Sequence, residues 1–325
     1  MLEYPIILIA LFLLELLYFR VADRFNIIDK PNERSSHSRV TLRGGGIIFY
    51  IGVLLCFFIS GFQNLWFFAG LTLISAISFA DDIKPRSSKL RLFVHFVAML
   101  LMFYQCGLFA THWYFIVAVL IVCTGIINAY NFMDGINGIT GLYSLIMAGS
   151  LLFVNNFVVQ FVDNEIIVIF ALSLFVFLFF NFRTRAKCFA GDVGSISAAF
   201  ILMFLLLQLI IKAENITYLM FFAVYGVDAV FTIIHRIILK ENISKPHRKH
   251  IYQLLANELH ISHLAVSSIY ATLQLVINAG LVLLLYFNTE IWFTYLYISF
   301  VIVLLSIIYI VLIKKHFWKH AQNNG

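Results

Sequence analysis

Four short stretches hold the residues best suited to polar chemistry. Asp81 and Asp82 are adjacent. Asn131, Asp134 and Gly135 form an Asn–x–x–Asp–Gly turn that continues into Asn137 and Gly138. Asp192 sits between Gly191 and Gly194, three residues after Phe189. His247, Arg248, Lys249 and His250 form a mixed basic run. Each has an ordinary structural reading: a helix cap, a surface ion pair, a turn, a solvated basic face. Together they suggest more. Carboxylates and amide oxygens suit Mg²⁺, which proteins hold through one or two carboxylates plus substrate phosphates. Lys, Arg and His neutralise the remaining phosphate charge. Glycines before a helix start suit a phosphate or a metal–phosphate complex. This is equipment for phosphoryl transfer.

The elements that must position these residues follow from composition. The chain has 325 residues, of which 62% are hydrophobic and 12% charged. Soluble domains average roughly 45–50% and about 25%. A polar skin that thin cannot cover a soluble core this size, so the expected fold is an all-α polytopic membrane protein. Disorder, a coiled coil and a disulfide scaffold are excluded by the same values. Cys56, Cys106 and Cys123 lie in apolar runs and Cys188 in a polar loop, with no CxxC pair. Eleven candidate spans lie near residues 4–19, 45–63, 65–80, 92–107, 112–128, 138–157, 164–182, 193–211, 216–239, 264–287 and 291–313. Glu15 interrupts the first, which also lacks a basic start and a cleavage site, so it reads as a retained helix. With no linker or repeat in sight, residues 1–325 read as one domain.

Assigning loops to alternate sides puts 21 of the 22 Lys and Arg on one side and only Lys212 on the other. The positive-inside rule then makes loops 20–44, 81–91, 128–137, 183–192 and 240–263 cytoplasmic, with the N-terminus outside and the C-terminus inside. All four stretches fall on that inner face. The basic balance thus reports topology, and no nucleic-acid partner is expected. Placement in a membrane implies that one substrate is a lipid.

The stretches NERSSHS, RGGG, ADD, NAYNFMDGINGITG, FAGDVGS and HRKHIYQ, in this order from about residue 20 to 255, resemble the polyprenyl-phosphate N-acetylhexosamine-1-phosphate transferase family. The resemblance implies ten or eleven helices in a bacterial inner membrane, catalytic cytoplasmic loops, Mg²⁺ (with Mn²⁺ as a substitute), a UDP-HexNAc donor and a polyprenyl phosphate acceptor, usually undecaprenyl phosphate. The products would be a lipid-linked HexNAc diphosphate and UMP, and a homodimer is an open expectation. The acidic pair falls on Asp81 and Asp82. The magnesium-binding Asp falls on Asp192, helped by Asn131, and the uracil-stacking aromatic falls on Phe189. Asp134, His247 and His250 complete the expected catalytic set. Asn131, Gly135, Asn137, Phe189, Arg248, Lys89, Arg91 and Arg43 are the expected substrate contacts. Two departures stand out. Asn137–Gly138 replaces the second Asp–Gly of many members, and HRKH replaces the three consecutive histidines of the peptidoglycan branch. The forms here are closer to initiators of O-antigen or capsule synthesis. The competing reading is a transporter or flippase for an anionic lipid or nucleotide sugar, for which Asp228 inside a span is the main attraction.

Overall fold

The computed structural model describes residues 3–31, 39–242, 248–287 and 289–322. Each of the eleven candidate spans is a helix. In chain order the α-helices are α1 (Glu3–Arg24), α2 (Ile47–Ile59), α3 (Leu65–Ile83), α4 (Ser88–Gln105), α5 (Trp113–Met133), α6 (Ile139–Phe157), α7 (Asn164–Asn181), α8 (Gly191–Ala213), α9 (Ala223–Ile238), the single turn α10 (Ile251–Gln253), which is not one of the spans, α11 (His263–Tyr286) and α12 (Ile291–Gln322). The chain is an all-α multi-pass membrane protein. Among the described residues, nine helical segments are long and apolar enough to cross a bilayer. The two exceptions have visible causes. α2 has 13 residues because it starts only after the Gly44–Gly46 run and stops at Ser60. α4 opens on Ser88, Lys89 and Arg91, so its first turns are polar. The ninth span enters through a 3₁₀ segment, Ile216–Phe222, before α9 proper.

α8 is the axis. It packs against α3, α5, α2 and α6, and 78% of its apolar window is buried, against 17% for α5 and α12. Small residues at its start, Gly191, Gly194, Ser195, Ser197, Ala198 and Ala199, let neighbouring backbones come close, as membrane helix packing requires. Gly46 and Gly194 meet backbone to backbone, with no room for a Cβ on either. Further along α8, Phe204 stacks on Phe67 of α3 with ring centroids 3.9 Å apart. Polar side chains join α6 to α11. Tyr143 donates to Gln274 at 2.6 Å, Gln274 donates to Asn278 at 2.6 Å, and Asn278 donates to Ser150 at 2.9 Å. The large exposed apolar residues on α5 and α12, among them Ile121 and Phe300, face lipid.

A two-stranded hairpin, β1 (Ile28–Asp29) with β2 (Thr41–Leu42), sits at the end of the bundle that carries the chemical residues. Leu42 continues it by pairing in parallel with Cys188.

Candidate active site

The site starts with a backbone junction. Phe189 donates its N–H to the Leu42 carbonyl at 2.8 Å, and Gly45 and Gly46 donate to the carbonyls of Phe189 and Ala190 at 2.9 and 3.1 Å. The Arg–Gly–Gly–Gly run is thereby clamped to the loop before α8. Gly191 has φ +72°, and a Cβ there would come within 2.6 Å of the Asp82 carboxylate and 2.8 Å of the Gly44 nitrogen. Only glycine satisfies both the left-handed backbone and the close approach. Asp82, from the end of α3, can then reach the start of α8. It accepts the N–H groups of Asp192 and Val193, both at 2.9 Å. A different helix therefore supplies the carboxylate cap that α8 lacks locally, where it meets orphan donors and the positive end of the dipole.

Five charged side chains follow in sequence from that cap. Arg43 Nε donates to Asp82 at 2.7 Å, and Arg43 Nη2 donates to Asp192 at 3.1 Å. Arg91 Nη1 donates to Asp81 at 2.9 Å and reaches Asp192 at 3.4 Å. Three carboxyl groups thus share two guanidiniums, with Asp192 in reach of both. The adjacent acids have different surroundings. Asp82 has a fully buried side chain whose two oxygens are taken up by the α8 cap and Arg43. Asp81 is tied to Arg91 and to the Arg86 N–H at 2.6 Å. Asp82, expected with Asp81 as a catalytic acid, holds α3 to α8 through these contacts.

The facing wall comes from the end of α5. Asn131 accepts the Ser195 hydroxyl of α8 at 3.0 Å. Asp134 accepts the Thr140 hydroxyl at 2.7 Å. Loss of hydration pushes the Asp134 pKa up to about 7, against a smaller downward pull from that hydrogen bond. Gly135 lies against the hydroxyl end of Tyr252, where a side chain would collide. Asn137 donates to the Arg183 carbonyl at 2.7 Å, and its own carbonyl accepts from Ser267 at 2.8 Å, so it braces three segments.

Between these walls is a cavity of about 210 Å³ lined by Arg43, Asn131, Asp134, Asn137, Phe189 and Asp192 among others. Beside it is a wider one of about 1110 Å³, lined by Arg39, Arg185, Lys187, Arg248 and His260 among others. Asn137, Phe189 and His263 line both. Half-buried Phe189 therefore stands at the boundary between a small oxygen-rich chamber and a large basic one.

The structure brings together most of the residues singled out in the sequence. Arg43, Asp81, Asp82, Arg91 and Asp192 form the charged chain. Asn131, Asp134, Gly135, Asn137, Phe189 and Asp192 surround the inner chamber, and Arg248 lines the outer one. Lys89 is exposed and lines neither. His250, expected as a catalytic histidine, is 2% exposed, lies 3.2 Å from Asp228 and lines neither cavity. Its position is instead fixed from α9. Asp228 accepts the Ile251 N–H at 3.1 Å and the Tyr270 hydroxyl at 2.6 Å. His247 lies outside the described residues, as does the NERSSHS stretch at 32–38. The sequence reading missed His263, Asn181, Arg39, Arg185 and Lys187. Asn181 ties the Gly138 N–H to the Cys188 carbonyl, at 2.7 and 2.8 Å. The signal for His263 was its place at the first turn of α11, immediately after the last inner loop.

The oxygens facing the inner chamber fit Mg²⁺. Asp192 and Asp134 offer carboxylates and Asn131 an amide oxygen, all hard donors. Among the described residues no three His, Cys, Asp or Glu side chains form a ready metal cage. A cation on Asp192 would compete with Arg43 and Arg91 for the same carboxylate.

Comparison with known proteins places this geometry in context. The sequence model of glycosyl transferase family 4 matches residues 64–210, a segment that includes Asp81, Asp82, Asn131, Asp134, Phe189 and Asp192. The chain is 27% identical over 263 residues, 73% of its length and 71% of the relative's, to the probable undecaprenyl-phosphate N-acetylglucosaminyl 1-phosphate transferase of Bacillus subtilis (strain 168). It is 25% identical over 264 residues, again 73% and 71%, to the undecaprenyl-phosphate alpha-N-acetylglucosaminyl 1-phosphate transferase of Yersinia pestis. The phospho-N-acetylmuramoyl-pentapeptide-transferase of Thermotoga maritima is 28% identical over 172 residues, 47% of this chain and 55% of that protein.

Proposed function

We propose that this chain, whose residues 64–210 match the model of glycosyl transferase family 4, transfers HexNAc-1-phosphate from a UDP-HexNAc to undecaprenyl or a similar polyprenyl phosphate, releasing UMP. An oxygen of the lipid phosphate attacks the sugar-bearing phosphorus, and the bond from that phosphorus to the UMP oxygen breaks. One phosphoanhydride forms as another is cleaved, so no ATP is required. The observation that carries this reading is the pair of joined cavities, a small chamber edged by carboxylates and Arg43 opening into a broad basic one. A nucleoside diphosphate sugar has the matching form: a compact diphosphate, a flat base and a polar sugar.

Catalysis here is positioning and charge neutralisation. Phe189 offers its ring to the uracil at the cavity boundary. Arg248, Arg185 and Lys187 supply the positive field of the outer chamber. Asp192, Asn131 and Asp134 would hold Mg²⁺, which would neutralise diphosphate charge in the ground and transition states. Asp81, paired with Arg91 at the end of α3, faces the acceptor side and keeps the incoming phosphate deprotonated. Asp82 keeps the start of α8, and Asp192 with it, in place. The active site faces the cytoplasm of a bacterial inner membrane, with the N-terminus outside. The product starts a cell-envelope polysaccharide such as O-antigen or capsule. Asp228, which had favoured a transporter, is buried in contacts that fix the last inner loop.

The test is release of UMP from UDP-HexNAc by the purified protein in detergent. We expect release only when polyprenyl phosphate is added. Turnover without the lipid, or none with any UDP-HexNAc, would overturn the proposal.

A further inference from the structure

Resting on that reaction, we propose that His95 is an acceptor-binding residue which, with Arg91, receives the phosphate of the polyprenyl chain at the edge of the bundle. Both residues lie on α4 four positions apart, hence on one face and one turn from each other. Arg91 spends Nη1 on Asp81 and Asp192. Its Nε is buried without a hydrogen-bond partner among the described residues, and so is Nε2 of His95. Buried polar nitrogens are seldom left unsatisfied, least of all where no water competes, and in its Nε2–H tautomer His95 is a donor beside Arg91 Nε. Neighbouring donors with nothing to bind suit an anion that carries several acceptor oxygens, and a phosphate monoester is such an anion.

The surroundings indicate which phosphate. Neither Arg91 nor His95 lines the two cavities assigned to the donor. Next to them on α4, Leu92, Phe93 and Phe96 are 62%, 64% and 41% exposed and face lipid. A phosphate at Arg91 and His95 is therefore approached from the bilayer. It is also close to the reaction, because Arg91 touches the same Asp192 carboxylate that borders the inner chamber. Asp192 stands between acceptor and donor sides, and α4 brings the acceptor to it. The polar first turns of α4 (Ser88, Lys89, Arg91, His95) thus have a use in a helix otherwise bordered by lipid.

The experiment measures UMP release by the full-length protein in detergent, titrating undecaprenyl phosphate and the UDP-HexNAc separately. His95→Leu should raise KM for the lipid phosphate roughly 10–100-fold, the effect of losing a hydrogen bond to a charged group. KM for the UDP-sugar should stay within about 3-fold. His95→Gln keeps an N–H donor and should hold the acceptor KM within about 3-fold of wild type. His95→Glu is nearly the shape of His95→Gln but presents an anion to the phosphate, so it should behave like or worse than His95→Leu. This last pair decides the matter even where His95→Leu does not fold. Equal acceptor KM for the Gln and Glu variants would overturn the inference. So would a shift confined to the UDP-sugar, which would move this corner to the donor diphosphate. A wild-type protein that releases no UMP would instead remove the reaction on which the inference rests.

Discussion

At the residue scale, Asp192 is the shared atom group of the site. Two guanidiniums reach it at 3.1 and 3.4 Å, and it borders the inner chamber. We expect Asp192→Asn to lower kcat by at least about 10²-fold, the scale of losing one charge-stabilising group, and to blunt the response to Mg²⁺ titration. Near-normal turnover with an unchanged Mg²⁺ curve would reduce Asp192 to part of an ion-pair chain. Phe189 makes a different prediction. Base stacking helps ground and transition states alike, so Phe189→Leu should raise KM for the UDP-sugar by up to about 10-fold with kcat little changed. An unaltered KM would exclude stacking. For Asp134 the sign follows from its pKa of about 7. The carboxyl is neutral below that value and charged above it. A folded pKa above the unfolded one stabilises the fold fully below about pH 4, and that contribution is lost as pH rises through 7. Asp134→Asn, which can keep the Thr140 bond, should therefore raise Tm relative to wild type more at pH 8 than at pH 5. If the ionised form serves the chamber, wild-type activity should rise through pH 7, and the variant should be slow and flat across the same range. A Tm difference independent of pH would show that Asp134 does not titrate there.

At the element scale, α3 and α8 are held by a cap that crosses between them. Asp82→Ala leaves two α8 N–H groups without their acceptor and Arg43 without its closest partner. Losing a cap and breaking a buried pair should together cost about 2–4 kcal/mol, discounted because Arg43 is partly exposed. Asp82→Asn keeps an acceptor oxygen and should cost less. Asp81→Asn should leave Tm nearly unchanged but slow turnover about 10²–10⁴-fold, the range for a general base, with partial rescue at high pH. Thermal unfolding in detergent beside the pH–rate profile separates the two carboxylates. Equal Tm losses for Asp81→Asn and Asp82→Ala would erase the distinction drawn here. The same scale explains Asp228. The sequence offered a buried acid in a span, and helix packing gave it His250, Ile251, Thr232 and Tyr270 as partners.

At the scale of the whole molecule, every functional residue must lie at one end of the bundle. The sequence assigns 21 of the 22 basic residues to the loops on that side, so a membrane-impermeant thiol reagent should miss Arg86→Cys in intact cells and label Lys212→Cys, at the opposite end of α8. Efficient labelling at position 86 from outside would invert the sidedness and the site with it. The unequal burial of helices sets the mechanics. α8 is enclosed and carries Asp192 on a fixed axis, whereas α4 and α5 border lipid. The inner chamber lies against the enclosed helix at Gly191 and Asp192, and the proposed acceptor corner lies on lipid-bordering α4.

By itself the sequence determined the class and the eleven helical spans, predicted a sidedness, and singled out most of the residues that meet at one end of the bundle. Those depend on local quantities: runs of apolar residues long enough for a bilayer, the count of Lys and Arg per loop, glycines beside acids. The tertiary structure gives the reason for two of those glycines, since Gly191 takes a left-handed turn beside Asp82 and Gly46 meets the Gly194 backbone. Only the tertiary structure decided which of two adjacent aspartates caps a helix, and that His250 belongs to Asp228 rather than to a cavity. Only the tertiary structure joined Arg43, Arg91 and Asp192 across 149 and 101 residues of chain. Hydrogen bonds and ion pairs between helices depend on which faces pack together, and hydrophobic periodicity along one helix carries no record of its neighbour's face.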